Sequence, residues 1–165
     1  TGQIAGWIAE RLNGFADVSI AVVNGYRLQS PFSRDREIIG SPIYRNDQIL
    51  ESIKDFVTEN KEAMAEKKVG IFMVALDTGG AYYFGRLTGG LEYLKEFAGL
   101  FVKPPIYGKV LGGEQIPTRL SAEDRESLLN FYRRVMGTDE IPYRYNMDKP
   151  KVWEYATRFY RYANC

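Results

Sequence analysis

The chain has 165 residues, of which 45% are hydrophobic and 26% charged, and this composition is typical of one folded domain spanning residues 1–165. The formal net charge of +1 excludes binding to nucleic acid through a strong basic excess, and no apolar run is long enough to cross a bilayer. The sequence has no histidine, which excludes serine–histidine catalysis and histidine zinc sites, so redox chemistry must rely on a bound cofactor. The lone cysteine, Cys165, excludes an internal disulfide and agrees with a reducing, cytoplasmic environment.

The first half of the chain predicts strands that alternate with helices. Apolar residues at helical spacing predict a helix from the start of the chain to Asn13 and Gly14. Short β-branched runs predict strands at 17–23 and 37–40. A second amphipathic helix is predicted over 47–67. The unbroken apolar run VGIFMVAL at 69–76 is typical of a strand covered on both faces, hence of a parallel sheet under helices.

The second half continues the alternation. Leucines at helical spacing predict a helix over 87–98, and a strand follows at 106–111. Ser121, with Asp124 three residues later, resembles a capping box at the start of a helix that Gly137 ends. A last amphipathic helix is predicted over 148–163. The simplest architecture is a doubly wound parallel sheet with helices on both faces, a three-layer α/β/α fold.

Ligands in such folds bind beyond the carboxyl ends of the strands, so the loops there are the candidate sites. The chain start is the first, because a helix that begins at Thr1, Gly2, Gln3 and Ile4 offers unpaired backbone N–H groups to an anion such as phosphate. An ordinary helix start is the alternative for this segment taken alone.

Two further loops have features suited to a flat heterocycle. The segment after the second strand offers close backbone approach at Gly40 and Ser41 and a ring for stacking at Tyr44, and its candidate contacts are Ser41, Pro42, Ile43, Tyr44, Arg45 and Asn46. The segment after the apolar strand has two adjacent glycines, and its candidate contacts are Asp77, Thr78, Gly79 and Gly80. Plain connections are the alternative for both, with Asp77 capping a turn.

Taken together, these segments resemble the flavodoxin-like family, specifically the branch that contains the menaquinone-type protoporphyrinogen oxidase. The resemblance covers nearly the whole chain and rests on five segments: TGQIAGWIAERL, IIGSPIY, VGIFMVAL with DTGG, GGEQIPTRLSAEDRESLLNFYRRVMG and MDKPKVWEYATRF. It implies the strand order 2-1-3-4-5, with the first strand expected upstream of Thr1. It also implies FMN, with the phosphate at Thr1 to Ile4 and the isoalloxazine ring between Pro42–Asn46 and Asp77–Gly80.

Three functions stay open at this stage. The first is electron transfer through FMN to a redox partner protein, although the near-neutral charge argues against a freely diffusing acidic shuttle. The second is an FMN-dependent oxidoreductase of the protoporphyrinogen oxidase type, which acts on a small organic substrate or a quinone. The third is a flavin-free interaction module. The aromatic and basic tail around Trp153 and Arg158 favours packing of the last helix, and peripheral contact with a membrane surface is its alternative.

Overall fold

The computed structural model describes residues 1–23, 34–44, 48–83 and 85–165, along which strands and helices alternate. A 3₁₀ turn at Pro117–Arg119 and a π turn at Tyr132–Met136 interrupt the alternation. The elements in chain order are α1 (Gly2–Leu12), β1 (Arg36–Tyr44), β2 (Gln48–Ile49), α2 (Glu51–Ala65), β3 (Lys68–Ala75), β4 (Ala81–Tyr83), β5 (Arg86–Thr88), α3 (Gly90–Ala98), β6 (Tyr107–Gly112), β7 (Glu114–Gln115), α4 (Ala122–Phe131), β8 (Arg144–Tyr145) and α5 (Lys149–Tyr162).

The central sheet has the order β2-β1-β3-β6, and its three long strands are parallel. Their carboxyl ends are level, because Pro42 of β1, Val74 of β3 and Leu111 of β6 lie in one row. Every residue of β3 from Val69 to Ala75 is buried, which explains its unbroken apolar run. The predicted α/β class with a flavodoxin-like parallel sheet is therefore confirmed.

Helices cover both faces of this sheet and so complete the predicted three layers. On one face α2 and α3 enclose a core cluster that includes Ile53, Val57, Met64 and Phe97 with Ile39, Ile71 and Met73 of the strands. On the other face α1 and α5 enclose a second cluster that includes Ile4, Ile8, Val152 and Tyr155 with Phe72, Val74 and Leu111. The predicted inward residues of the last helix, Val152, Ala156 and Phe159, are buried.

The helices α1 and α5 lie side by side and run in the same direction, from the carboxyl edge of the sheet to its amino edge. Lys149, the first residue of α5, pairs with Glu10 at 2.8 Å, and further along Tyr160 donates a hydrogen bond to the carbonyl of Phe15 at 3.4 Å. The end of α5 lies at the amino edge, where Asn164 accepts a hydrogen bond from the first residue of β1. The N-terminus of α1 therefore points toward the carboxyl edge.

The prediction of a strand at 17–23 is wrong, since these residues are described without strand pairing. Strand propensity is realised only where a neighbouring strand supplies hydrogen-bond partners, and no described strand lies beside this segment. Its apolar side chains are left exposed at Ile20 (54%) and Val22 (69%). The adjacent β1 is longer than the predicted 37–40, and its side away from β3 is paired only at Ile43 and Tyr44 within the described residues.

Two helix boundaries also differ from the prediction. The helix α2 begins at Glu51, because Gln48 and Ile49 first turn back to pair with β1. Leu87 belongs to a β4–β5 hairpin, so α3 begins only at Gly90. The hairpin turns at Gly85, whose φ of 77° is a left-handed backbone conformation that glycine adopts without strain.

Glu37 of β1 carries a carboxylate oxygen that is buried and has no hydrogen-bond partner among the described residues. Burial raises the pKa of Glu37, and the charges of Lys67 and Arg34 oppose that rise. When the folded-state pKa of a carboxyl lies above its unfolded-state pKa, the group favours folding at low pH, where it is protonated in both the folded and the unfolded protein. This contribution to the free energy of unfolding is lost as the pH rises through the folded-state pKa.

We therefore expect Glu37→Gln to unfold at a higher temperature than the parent protein at pH 7 and at the same temperature near pH 4. Thermal unfolding followed by circular dichroism across this pH range measures the difference. Glu62→Gln, at an exposed position of α2, is the control and should leave the pH profile unchanged. If the unfolding temperature of Glu37→Gln differed from that of the parent protein by the same amount at every pH, the raised pKa of Glu37 would be contradicted.

Candidate functional site

The described parts of all three segments predicted to bind a ligand lie at the carboxyl edge of the sheet. The segment 41–44 ends β1, and the segment 77–80 follows β3, whose last residues are in register with β1 and β6. The N-terminus of α1 reaches the same edge because α1 runs parallel to α5. The fold thus places the predicted phosphate segment and both predicted ring segments along one edge.

The first turn of α1 presents unpaired backbone donors. The first helical bond joins the N–H of Ala5 to the carbonyl of Thr1 at 3.0 Å, so the N–H groups of Gly2, Gln3 and Ile4 have no carbonyl one turn back. No described side chain caps this helix, and its first turn holds no acidic residue. Thr1, Gly2 and Gln3 are exposed, whereas Ile4 is buried in the core. The turn therefore suits an anion bound through the backbone.

Ser41 stabilises the end of β1 through two hydrogen bonds of its hydroxyl. The hydroxyl of Ser41 is fully buried, accepts a hydrogen bond from the N–H of Leu50 at 3.2 Å and donates one to the carbonyl of Pro42 at 2.9 Å. It ties the strand end to the start of α2, and because its one donor is used and the residue is fully buried, its side chain does not face a ligand. Pro42 and Ile43 are half-buried.

The three remaining predicted contacts of this segment are Tyr44, Arg45 and Asn46. Tyr44 is the last residue of β1, and the structure describes its backbone but not its side chain. Arg45 and Asn46 lie outside the described residues.

The segment Asp77–Gly80 forms a tight turn beyond β3. The carboxylate of Asp77 accepts a hydrogen bond from the N–H of Gly79 at 3.0 Å, which is the turn-capping role given above as its alternative. A Cβ placed on Gly79 would meet only this carboxylate, at 3.7 Å, so the outer side of the turn is open. Thr78, Gly79 and Gly80 are exposed. Among the described residues, nothing therefore blocks the approach of a flat ring to the backbone at Gly79.

The start of α3 packs against this turn and holds it by a hydrogen bond. The N–H of Leu91 donates to the carbonyl of Gly79 at 3.1 Å. A Cβ on Gly90 would lie 2.9 Å from the carbonyl oxygen of Asp77, and a Cβ on Gly89 would lie 2.5 Å from the Cα of Gly80. The glycine pair at 89–90 is therefore required for close packing of the turn on the helix. Sequence reasoning did not include this pair, although two adjacent glycines before a helix are a visible signal.

A second support, Asn146, was also missed. Its amide donates to the carbonyl of Leu76, the residue before the turn, at 2.9 Å, and its backbone N–H donates to the carbonyl of Gly113 at 2.9 Å. Asn146 follows β8, in the segment that returns from α4. It lies 70 positions from Leu76 in the sequence, and no local pattern indicates such a contact.

A groove of about 750 Å³ adjoins the turn along the outer side of β6. The residues that line it come from the end of β3, from α3, from β6 and from the start of α5, and include Leu76, Thr78, Leu91, Leu94, Lys109, Tyr145, Met147 and Lys151. Thr78 is the one predicted contact among its lining residues, and Thr1 and Pro42 are not part of it. The groove is therefore a neighbour of the predicted ring position rather than the position itself.

The part of the chain that the structure describes contains no group of three or more His, Cys, Asp or Glu side chains able to hold a metal ion. Over the same residues, no helix is both long enough and apolar enough to traverse a bilayer.

Comparison with known proteins gives one result. A family model described as flavodoxin domain matches residues 1–131. The searches of curated proteins and of solved structures gave no match. The matched stretch contains every predicted contact residue and the three parallel strands, whereas Asn146 and α5 lie beyond it.

Proposed function

The chain belongs to the flavodoxin domain family, and on this basis we propose that it binds one FMN non-covalently at the carboxyl edge of its sheet and transfers electrons through it. The observation that carries the proposal is that an uncapped helix start, the end of β1 and the open turn after β3 lie along this one edge. FMN requires an anion site and a flat ring site close together, and these features supply both kinds of surface.

The phosphate is assigned to the first turn of α1. Its donors are the N–H groups of Gly2, Gln3 and Ile4, with the hydroxyl of Thr1 beside them. The helix dipole adds a favourable field for a dianion at this end. The first turn holds no acidic side chain, so none of its own residues repels the phosphate.

The ring is assigned to the space between the end of β1 and the turn Asp77–Gly80. The open face of Gly79 admits the ring edge to backbone contact, and the bound carboxylate of Asp77 keeps the turn in shape. Pro42 and Tyr44 are assigned to the opposite side. When bound, FMN supplies the one- or two-electron chemistry, and the residues here bind and orient it.

The direct test is the visible spectrum of the purified protein, before and after addition of FMN. We expect flavin absorption bands, and quenching of FMN fluorescence when FMN is titrated into protein stripped of ligand. A colourless protein that takes up no added FMN would overturn the proposal and would leave a flavin-free interaction module as the function.

Gln3→Glu separates phosphate binding from helix stability. A carboxylate in the first turn of α1 favours the helix, by about 0.5 kcal/mol, since it complements the dipole. The same charge repels a phosphate bound at that turn, so we expect FMN affinity to fall by about 10-fold at low salt. Fluorescence titration and thermal unfolding measure the two effects.

Gln3→Met is the matched neutral control for this prediction. It is close in size to the parent side chain and should leave FMN affinity within about twofold, because the proposed donors are backbone groups. Equal FMN affinity for the glutamate and methionine variants would remove the first turn of α1 from the phosphate site.

The groove beside Thr78 favours a second candidate, an FMN-dependent oxidoreductase of the protoporphyrinogen oxidase type. With about 750 Å³ next to the proposed ring position, it offers space for a small organic substrate that an electron-transfer protein does not need. Oxidation of protoporphyrinogen with a quinone as acceptor, followed by porphyrin fluorescence, tests this candidate. Reduced flavin that passes electrons only to a redox protein would exclude it.

A further inference from the structure

The turn Asp77–Gly80 is held on two sides by different parts of the chain. From the α3 side, Leu91 donates to the carbonyl of Gly79, as described above. From the α5 side, Asn146 donates its side-chain amide to the carbonyl of Leu76, where β3 leads into the turn. The turn is therefore fixed at both of its ends.

Asn146 itself is fixed by the backbone around it. Its N–H is bonded to the carbonyl of Gly113, and its own carbonyl lies directly against the Cα of Gly112. A Cβ at Gly112 would overlap this carbonyl oxygen and would lie 2.7 Å from the carbonyl carbon. The segment after β8 thus reaches the end of β6 by backbone-to-backbone contact. The amide of Asn146 is held in place before any ligand arrives.

We propose that Asn146 is a positioning residue for the flavin, because it fixes the turn against which the ring is assigned. Its side chain acts through the carbonyl of Leu76 and does not itself need to touch the ligand. The inference rests on the proposed FMN site. It adds that the segment returning from α4, which a flavodoxin family match ending at residue 131 does not include, contributes to that site.

Two substitutions test the role. Asn146→Asp keeps the shape of the side chain but replaces the donor with a carboxylate oxygen, and Asn146→Ala removes the side chain. Asn146 is exposed, so both variants should fold. We expect each to bind FMN about 5- to 10-fold more weakly than the parent protein, since one directed hydrogen bond to the turn is lost.

Two measurements separate positioning from a general loss of stability. The visible circular dichroism of bound FMN reports the surroundings of the ring and should change in both variants. Without FMN, the amide protons of residues 77–80 should exchange faster. Asn60→Asp is the matched control, because Asn60 also donates its amide to a backbone carbonyl, that of Phe56 at 2.7 Å, but lies on α2. It should leave FMN affinity, the flavin spectrum and exchange at 77–80 unchanged.

The outcomes distinguish this inference from the proposed function. A parent protein that binds no FMN overturns the proposed function. A parent protein that binds FMN, together with Asn146 variants of equal affinity and equal circular dichroism, overturns this inference alone. Equal losses of affinity in the Asn146 and Asn60 variants would also overturn it, since the effect would then be one of stability.

Discussion

Gly112→Ala is expected to lower the free energy of unfolding by about 3 kcal/mol, the upper end of the usual cost of overpacking. The added methyl group would overlap the backbone carbonyl of Asn146, and a backbone group cannot move aside as a flexible side chain can. The end of β6 and the segment after β8 would have to separate. Chemical denaturation gives the free energy of unfolding, and limited proteolysis of the segment after β8 reports the separation.

Gly6→Ala is the control for this substitution. Nothing lies within 4 Å of a Cβ at Gly6, and this position is inside α1, where alanine is favoured over glycine by about 1 kcal/mol. The same chemical change should therefore stabilise at one position and destabilise at the other. A Gly112→Ala protein as stable as the parent would show that the two backbones are not in contact.

Tyr155→Ala is expected to cost about 4 kcal/mol, since it removes a large side chain from a fully buried position. The ring of Tyr155 stacks on Tyr107 with 5.3 Å between ring centroids and meets the edge of Phe72 at 6.0 Å. Both contacts would be replaced by a cavity between α5 and the sheet. Denaturant unfolding measures the loss, and a cost below about 1 kcal/mol would contradict this packing.

Tyr155→Phe should act in the opposite direction. The hydroxyl of Tyr155 is buried without a hydrogen-bond partner among the described residues, and its burial raises the pKa of this phenol well above the ordinary range. Removing an unsatisfied hydroxyl relieves its desolvation penalty, so we expect a gain of about 1 kcal/mol. A loss of stability in Tyr155→Phe would show that the hydroxyl has a bonding partner.

The elements that could be predicted are those that a short stretch of sequence determines by itself. The run at 69–76 predicted β3 because a strand covered on both faces needs apolar residues throughout. The helix start at Ser121 was predictable because the cap is local, and its hydroxyl accepts a hydrogen bond from the N–H of Asp124. The segment 17–23 has equally strong β-branched character, yet pairing depends on a neighbour that the segment itself does not specify.

The residues of the candidate site also fall into two groups, those indicated by local sequence and those that depend on tertiary contacts. Glycines and a helix start are local signals, and they brought Thr1, Gly79 and Gly80 into consideration. The role of Ser41 was harder to foresee, because its hydroxyl bonds to Leu50 only after α2 folds against the strand. Asn146 was beyond the reach of local reasoning, since its contact with Leu76 depends on how the whole segment after β6 returns to the sheet.

The common direction of the helices has an electrical consequence that the net charge conceals. The starts of α2 and α3 also lie at the carboxyl edge, where Leu50 bonds to Ser41 and Leu91 bonds to Gly79, so with α1 and α5 four helix N-termini face the same side of the sheet. Carboxylates stand at three of these starts, Glu51 in α2, Glu92 in α3 and Asp148 at α5, whereas the first turn of α1 has none. The positive end of α1 is therefore the one left without a carboxylate of its own to offset it. Peptide groups do not titrate, so this attraction for anions should persist across a pH range in which side chains gain or lose their charges.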